Sequence, residues 1–396
     1  MQFLSHGVEF SNFPVFSYFF TGLVMSSKTN RLISLDAFRG FTIAAMILVN
    51  SPGTYRAVYH QLRHAQWNGW TFADIVFPSF LFIMGVSLVY SFAARQSGNG
   101  NSRLEFQIAK RTVLLFALGL FLNSFPIFHF STLRIPGVLQ RIALCYFFTS
   151  LIVLKTGLRG RILWVVGLLA GYWLAMRFVP VPGVGTGVLE PGNNLAAYVD
   201  SLFLSGHMWT HYEIWDPEGL FSTLPAIATT LFGVLTGDWL QSTYTGRQKA
   251  AGMLCAGLVL VVLGMFLNQW FPINKSIWTS TFVVFMAGLA LVALSFFYWS
   301  IELAGYRRWA TPFVIFGMNS ITIFVLSEVL DTLLRFIRLP QASTGSTISI
   351  RSWLFWTFFM PLTDPKTASL LFALGFVLFM LLIAWLMWRK RLFVKL

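Results

Sequence analysis

The run Tyr59-His60-Gln-Leu-Arg63-His64-Ala-Gln-Trp67-Asn68-Gly69-Trp70-Thr71-Phe-Ala-Asp74 packs polar and aromatic side chains between two long apolar stretches. His64 suits general acid or base work near neutral pH, because a free imidazole titrates at about 6.5. The same ring suits acyl uptake as an activated nucleophile. Asp74 is expected to orient its second ring nitrogen. Asn50, in Leu48-Val-Asn50-Ser-Pro52-Gly53, carries an amide able to donate to a developing oxyanion. A loop histidine is more often inert, and His6, His60, His129, His207 and His211 are read that way. His60 and His64 have the i, i+4 spacing of a metal pair. No third ligand is evident, so no metal is expected.

Composition says which elements must position these groups. Of 396 residues, 56% are hydrophobic, 17% aromatic and only 11% charged, with a mean hydropathy of +0.70. A soluble domain carries about 25% charged residues, and a disordered chain has few aromatics. Both classes are excluded, leaving an all-α polytopic membrane bundle. A spanning helix takes about 20 residues. Apolar runs predict ten spans, at 35–51, 71–94, 107–124, 134–154, 162–179, 220–240, 250–271, 277–300, 311–337 and 368–388. The run Trp353 to Leu362 is too short to cross and reads as interfacial or re-entrant. The first 25 residues are apolar without Lys or Arg. They read as an eleventh span or, preferably, as sequence before a true start at Met25. The expected division is an N-terminal segment, 1–30, and one transmembrane domain, 31–396.

The formal charge of +14 reads as topology and not as a nucleic-acid surface, because no basic cluster alternates with a stacking platform. Lys and Arg are about twice as frequent on one side of the expected spans as on the other, which makes that side cytoplasmic, the C-terminus included. Loops 52–70, 180–219 and 338–367 then face outward, and Glu190, Asp200, Glu213, Asp216 and Glu218 share one of them. Cys145 and Cys255 lie in apolar runs and read as packing residues.

Ionisable groups at membrane depth cost about 2.5–3.5 kcal/mol or more, so each one suggests a purpose. Asp36 and Arg39 are three apart on one helix face and can pair, as a structural ion pair or as part of a site. Arg141 lies early in the fourth span. Asp216-Pro-Glu218-Gly219 leads into the sixth. Pro272-Ile-Asn274-Lys275-Ser-Ile-Trp278 reads as a tight outward hairpin. Gly317-Met-Asn319-Ser320 sits inside the ninth span, where it should loosen the helix.

These segments carry a resemblance. Leu35-Asp36-Ala-Phe-Arg39-Gly40, Val49-Asn50, His64-Ala-Gln-Trp67-Asn68-Gly69, Ala73-Asp74-Ile-Val-Phe77-Pro78, Phe82-Ile-Met-Gly85, Gly137-Val-Leu-Gln140-Arg141, Asp216-Pro-Glu218-Gly219, Asn274-Lys275 and Gly317-Met-Asn319-Ser320 resemble the heparan-α-glucosaminide N-acetyltransferase family, in order, from about residue 31 to 330. The chain looks like a bacterial member without the extra lumenal N-terminal region of the animal enzyme. Its Leu-Asp-x-x-Arg-Gly opening is also similar to the wider membrane acyltransferase-3 group.

The resemblance implies transfer of acetyl from cytoplasmic acetyl-CoA to the amino group of glucosamine, or of a glucosamine-ended saccharide, on the outer side of the inner membrane. It implies His64 as the catalytic residue, with Asn50 on the family's asparagine. CoA phosphates need cations. Arg141, Arg39 and Lys275 are the candidates in that order, with Asn319 beside them. Trp67, Asn68 and Glu218 are candidates for the sugar, with Trp209 and Trp215. An acetyl-imidazole and a simple proton transfer both stay open. The resemblance makes a homodimer the expected assembly. Rival readings are an amino-sugar transporter, an O-acetyltransferase of an envelope glycan, and a structural scaffold.

Overall fold

The structure is a computed structural model that describes residues 32–394 except 97–100, 210–213 and 341–346; for residues 94–96 and 101–103 it describes the backbone alone. The expected N-terminal segment, the start at Met25, His6, His211 and Glu213 lie outside the described residues.

The described chain is helical almost throughout. Its long helices are α1 (Ile33–Asn50), α2 (Phe72–Gln96), α3 (Asn101–Ser124), α4 (Val138–Lys155), α5 (Leu158–Phe178), α7 (Thr223–Gln241), α8 (Gly246–Leu267), α9 (Ser280–Tyr298), α11 (Ser320–Phe336) and α13 (Pro365–Arg389). Shorter ones are α6 (Leu195–Leu204), α10 (Thr311–Met318) and α12 (Ile350–Leu354). Side-chain caps set several starts: Asn194 accepts from Ala197 N at α6, Thr279 from Phe282 N at α9, and Asp364 from Lys366 and Thr367 N at α13. Thr245 and Gln248 form a reciprocal capping box at α8.

Helices lie at all ten expected positions, but the span count is lower. Among the described residues seven helices are long and apolar enough to cross a membrane, and the pair α10 with α11 makes an eighth. The other two, α3 and α7, are not among these; Lys110 and Arg111 lie in one and Asp238 in the other. The ninth expected span is broken, because α10 and α11 meet at Asn319 with a bend of 75°. The all-α expectation also meets a small exception, a two-stranded antiparallel hairpin, β1 (Arg338–Pro340) with β2 (Thr347–Ser349). The short apolar run near Trp353 forms α12 and two irregular turns, and no span.

Burial separates centre from periphery. The window of α2 is 78% buried, against 17% for α5, so the first is a bundle core and the second presents its side chains to lipid. Cys145 is buried, whereas Cys255 is exposed on α8. The motif glycines serve these crossings. A Cβ on Gly40 would lie 1.7 Å from Phe313 O, and one on Gly317 2.0 Å from Asp36 O. The backbones of α1 and α10 therefore touch, as small residues permit in membranes. Gly85 and Gly233 do the same for α2 and α7.

Candidate functional site

One end of the bundle gathers the start of α2 and the segments leading into α7 and α9. Asp74 is in the first turn of α2 and wholly buried. Its Oδ2 accepts from Ala65 N and Thr71 N, both at 3.0 Å, and lies 3.1 Å from Thr71 Oγ1, whose single proton is shared with Arg63 O at 2.7 Å. Its Oδ1 lies 2.8 Å from His64 Nδ1. The imidazole is half exposed (50%), and the carboxylate orients it through Nδ1. Gly69 closes the motif with φ +97, open to glycine at no steric cost, and its N–H donates to Ile273 O at 2.8 Å. Nothing crowds that glycine, so backbone conformation and not space requires it.

The hairpin before α9 brings in the third member. Asn274 Oδ1 accepts from Ile277 N at 3.1 Å, and Trp278 N donates to Lys275 O at 3.0 Å. Trp278 adopts φ +49 and is buried, a strained turn held by packing. Asn274 Nδ2 donates to Asn68 Oδ1 at 3.1 Å. Lys275 Nζ consequently lies 3.0 Å from His64 Nδ1, 3.4 Å from His64 Nε2 and 3.4 Å from Asp74 Oδ1. Burial first, and the Lys275 ammonium second, hold the His64 imidazole below its ordinary value against the pull of Asp74. Burial likewise lowers the Lys275 ammonium.

Glu218 faces this group and is paired elsewhere. Arg134 donates to Glu218 Oε2 at 2.5 Å and grips Asp216 with Nε and Nη2 at 2.8 and 2.7 Å. Those carboxylates raise the Arg134 guanidinium against its burial. Asp200, buried beside Gly219, is pushed by burial to about 7. Trp67 donates to Leu189 O at 2.9 Å and meets Trp215 edge-on at 5.2 Å. Trp215 is buried, whereas Trp209 is exposed beneath the Arg134 guanidinium. Arg141 is fully buried over the Trp278 ring and donates to Gly219 O and Ser222 Oγ. Its Nε and Nη1 have no hydrogen-bond partner among the described residues.

The remaining expected residues lie elsewhere. Asn50 Nδ2 donates to Glu328 Oε1 at 3.0 Å, in a separate cluster with Tyr55, Asp331, Arg335 and Arg351. Arg39 reaches Asp36 at 3.2 Å and Ser87 Oγ at 2.6 Å. Asn319 lies apart from both: its amide donates to Leu392 O and accepts from Val394 N, both at 3.0 Å. Both ends of that side chain hold the C-terminal backbone. Sequence reading passed over Glu328 and Asp331, although carboxylates in an apolar run are the signal that singled out Arg141. It also counted Arg134 as topology alone, and no local spacing announces that its partners are 82 and 84 residues away.

A cavity of about 240 Å³ opens on another level of the bundle, lined by Arg39, Ser87, Ser91, Arg111, Tyr146 and Ser320 among others. The Arg111 guanidinium stacks on Tyr146 at 4.8 Å, and its buried Nε has no partner among the described residues. Along α2 the lining runs from Phe92 to Phe80. Phe80 is six residues from Asp74, about 9 Å of helix.

Among the described residues no three His, Cys, Asp or Glu side chains converge as a metal site would need. Residues 31–264 match the family model "Heparan-alpha-glucosaminide N-acetyltransferase, catalytic". The human heparan-alpha-glucosaminide N-acetyltransferase is 33% identical over 364 residues, covering 78% of this chain and 54% of the human one. The mouse protein is 32% identical over 361 residues, covering 77% and 54%. The chain thus spans about half the length of these curated relatives, and it belongs to the heparan-alpha-glucosaminide N-acetyltransferase catalytic family.

Proposed function

We propose that the chain is a transmembrane N-acetyltransferase carrying acetyl from cytoplasmic acetyl-CoA to the amino group of glucosamine, or of a glucosamine-ended saccharide, on the outer side of a bacterial inner membrane. The observation that carries this reading is the half-exposed His64 imidazole, oriented by buried Asp74, in a chain of this family. His64 Nε2 removes a proton from the amine as its nitrogen attacks the thioester carbonyl. The new C–N bond forms, the C–S bond breaks, and the imidazolium returns the proton to the leaving thiolate. The buried N–H groups of Arg141, beside Glu218 and Lys275, offer donors to the reacting end. Exposed Trp209 and Trp70, with Asn68, offer the acceptor sugar a surface. Attack on the thioester by His64 itself, giving an acetyl-imidazole, uses the same ring and differs in its kinetics.

Arg39 and Arg111 suit the phosphates of the donor. They line one cavity on the more basic side, and Ser87 lies thirteen residues along α2 from Asp74, about 20 Å. The long pantetheine arm is the part of the donor that crosses this distance. The test is acetyl transfer in detergent from radiolabelled acetyl-CoA to glucosamine. Wild type should form N-acetylglucosamine and His64→Ala should not; equal product from both refutes the reading. Arg111→Ala should raise KM for acetyl-CoA several-fold and leave KM for glucosamine unchanged.

A further inference from the structure

We infer that Lys275 is a positioning residue for His64: its ammonium shares the Asp74 oxygen that orients the imidazole, and so holds the ring in its uncharged form. This rests on the proposed role of His64, and it moves Lys275 from the donor phosphates to the reacting end.

Geometry carries the argument. Asp74 Oδ2 accepts from the backbone N–H groups of Ala65 and Thr71, with the Thr71 hydroxyl shared between it and Arg63 O, which leaves Oδ1 to face His64 at 2.8 Å and Lys275 at 3.4 Å. A protonated imidazole would set two cations 3.0 Å apart on that one oxygen. Lys275 cannot withdraw, because its backbone is fixed in the Asn274–Thr279 turn and its side chain is largely buried (17%). The other charges facing the pair do not reverse the balance. Glu218 is drawn to Arg134 at 2.5 Å. Arg141 adds a second positive charge beside Lys275. The site thus has one available carboxylate oxygen for a resident cation, and the imidazole keeps a single proton, on Nδ1. A ring held this way is always ready to accept at Nε2. Once charged, it yields its proton readily to a leaving thiolate.

The test reads the ring itself and not the reaction. Diethyl pyrocarbonate modifies neutral imidazole, and the half-exposed His64 is accessible to it. The modification rate of the His64 peptide, followed by mass spectrometry from about pH 5 to pH 8, gives the midpoint of its titration. Wild type should titrate below about 6.5. Lys275→Met should move the midpoint up by roughly one unit or more, and Lys275→Arg should keep it low. Asp74→Asn should move it down. A wild-type midpoint at or above the ordinary value overturns the inference without any variant, as does an unmoved midpoint in Lys275→Met. Acetyl transfer by the same samples separates the two readings. A protein that never acetylates but shows these midpoints loses the proposed function and keeps this pairing.

Discussion

The cluster around His64 and the cluster around Asp331 use similar charged groups in opposite ways. At His64 one buried carboxylate faces two bases, and the titratable ring is half open to solvent. At Asp331 two guanidiniums close on one carboxylate: Arg335 from the same helix, and Arg351, whose Nη1 is 2.9 Å from Oδ1. Arg351 also donates to Pro52 O and lies over the rings of Tyr55 and Phe372. It thereby ties the end of α1 to α12 and α13. A buried carboxylate closed on both oxygens by guanidiniums holds a shape, and removing a partner leaves buried charge less compensated. Partly matched charges around an accessible ring leave a proton acceptor with work to do.

The comparison is broken most sharply by His64→Ala. Loss of a general base typically costs 10²–10⁴-fold, so kcat/KM should fall by about 10³-fold, roughly 4 kcal/mol. Tm should hardly change, because the ring is half exposed. Arg351→Ala should do the reverse. Removing one partner of a buried pair costs about 3–5 kcal/mol. Asp331 keeps Arg335, so the expected loss is at the lower end, read as a drop in Tm of the detergent-solubilised protein. Residual activity per folded molecule should stay near wild type. Equal losses of Tm in the two variants would erase the distinction.

Much of this arrangement was legible in the residues. The ten helical segments could be read because each apolar run is long enough to bury, and Asp74 lies ten positions from His64, close enough for a loop and one helical turn to join them. Gly40 and Gly317 stood out as motif residues, yet only the crossing of α1 and α10 explains them. The meeting of Lys275 with His64 was not legible, because the two are 211 residues apart and no periodicity encodes such a meeting. The hairpin β1–β2 escaped because three-residue strands are too short to show alternation. Asn319 was read as loosening its helix, and a 75° break is there. The use of its amide to hold the C-terminus needed the tertiary structure.

The smallest expected effect concerns Asn50, which belongs to the second cluster by contact and to the first by its expected role. One N–H of its Nδ2 is committed to Glu328 Oε1 at 3.0 Å. The other is left as the donor an oxyanion would need. The path to His64 is short: Tyr55 OH donates to Asn50 O at 2.7 Å, and Arg63 donates to Tyr55 O at 3.2 Å. Asn50→Ala should lower kcat by about 10²-fold if the amide meets the oxyanion, the loss seen when one such donor is removed. Its Tm should fall only by the equivalent of one hydrogen bond, about 1 kcal/mol. Glu328→Gln keeps an oxygen to accept from Asn50 and should retain both rate and Tm to within a few-fold. If instead Asn50→Ala lowers Tm as far as Arg351→Ala and leaves kcat intact, Asn50 belongs to the structural cluster alone. The oxyanion must then be met by another donor, and the unengaged Nη1 of Arg141 is the next to test.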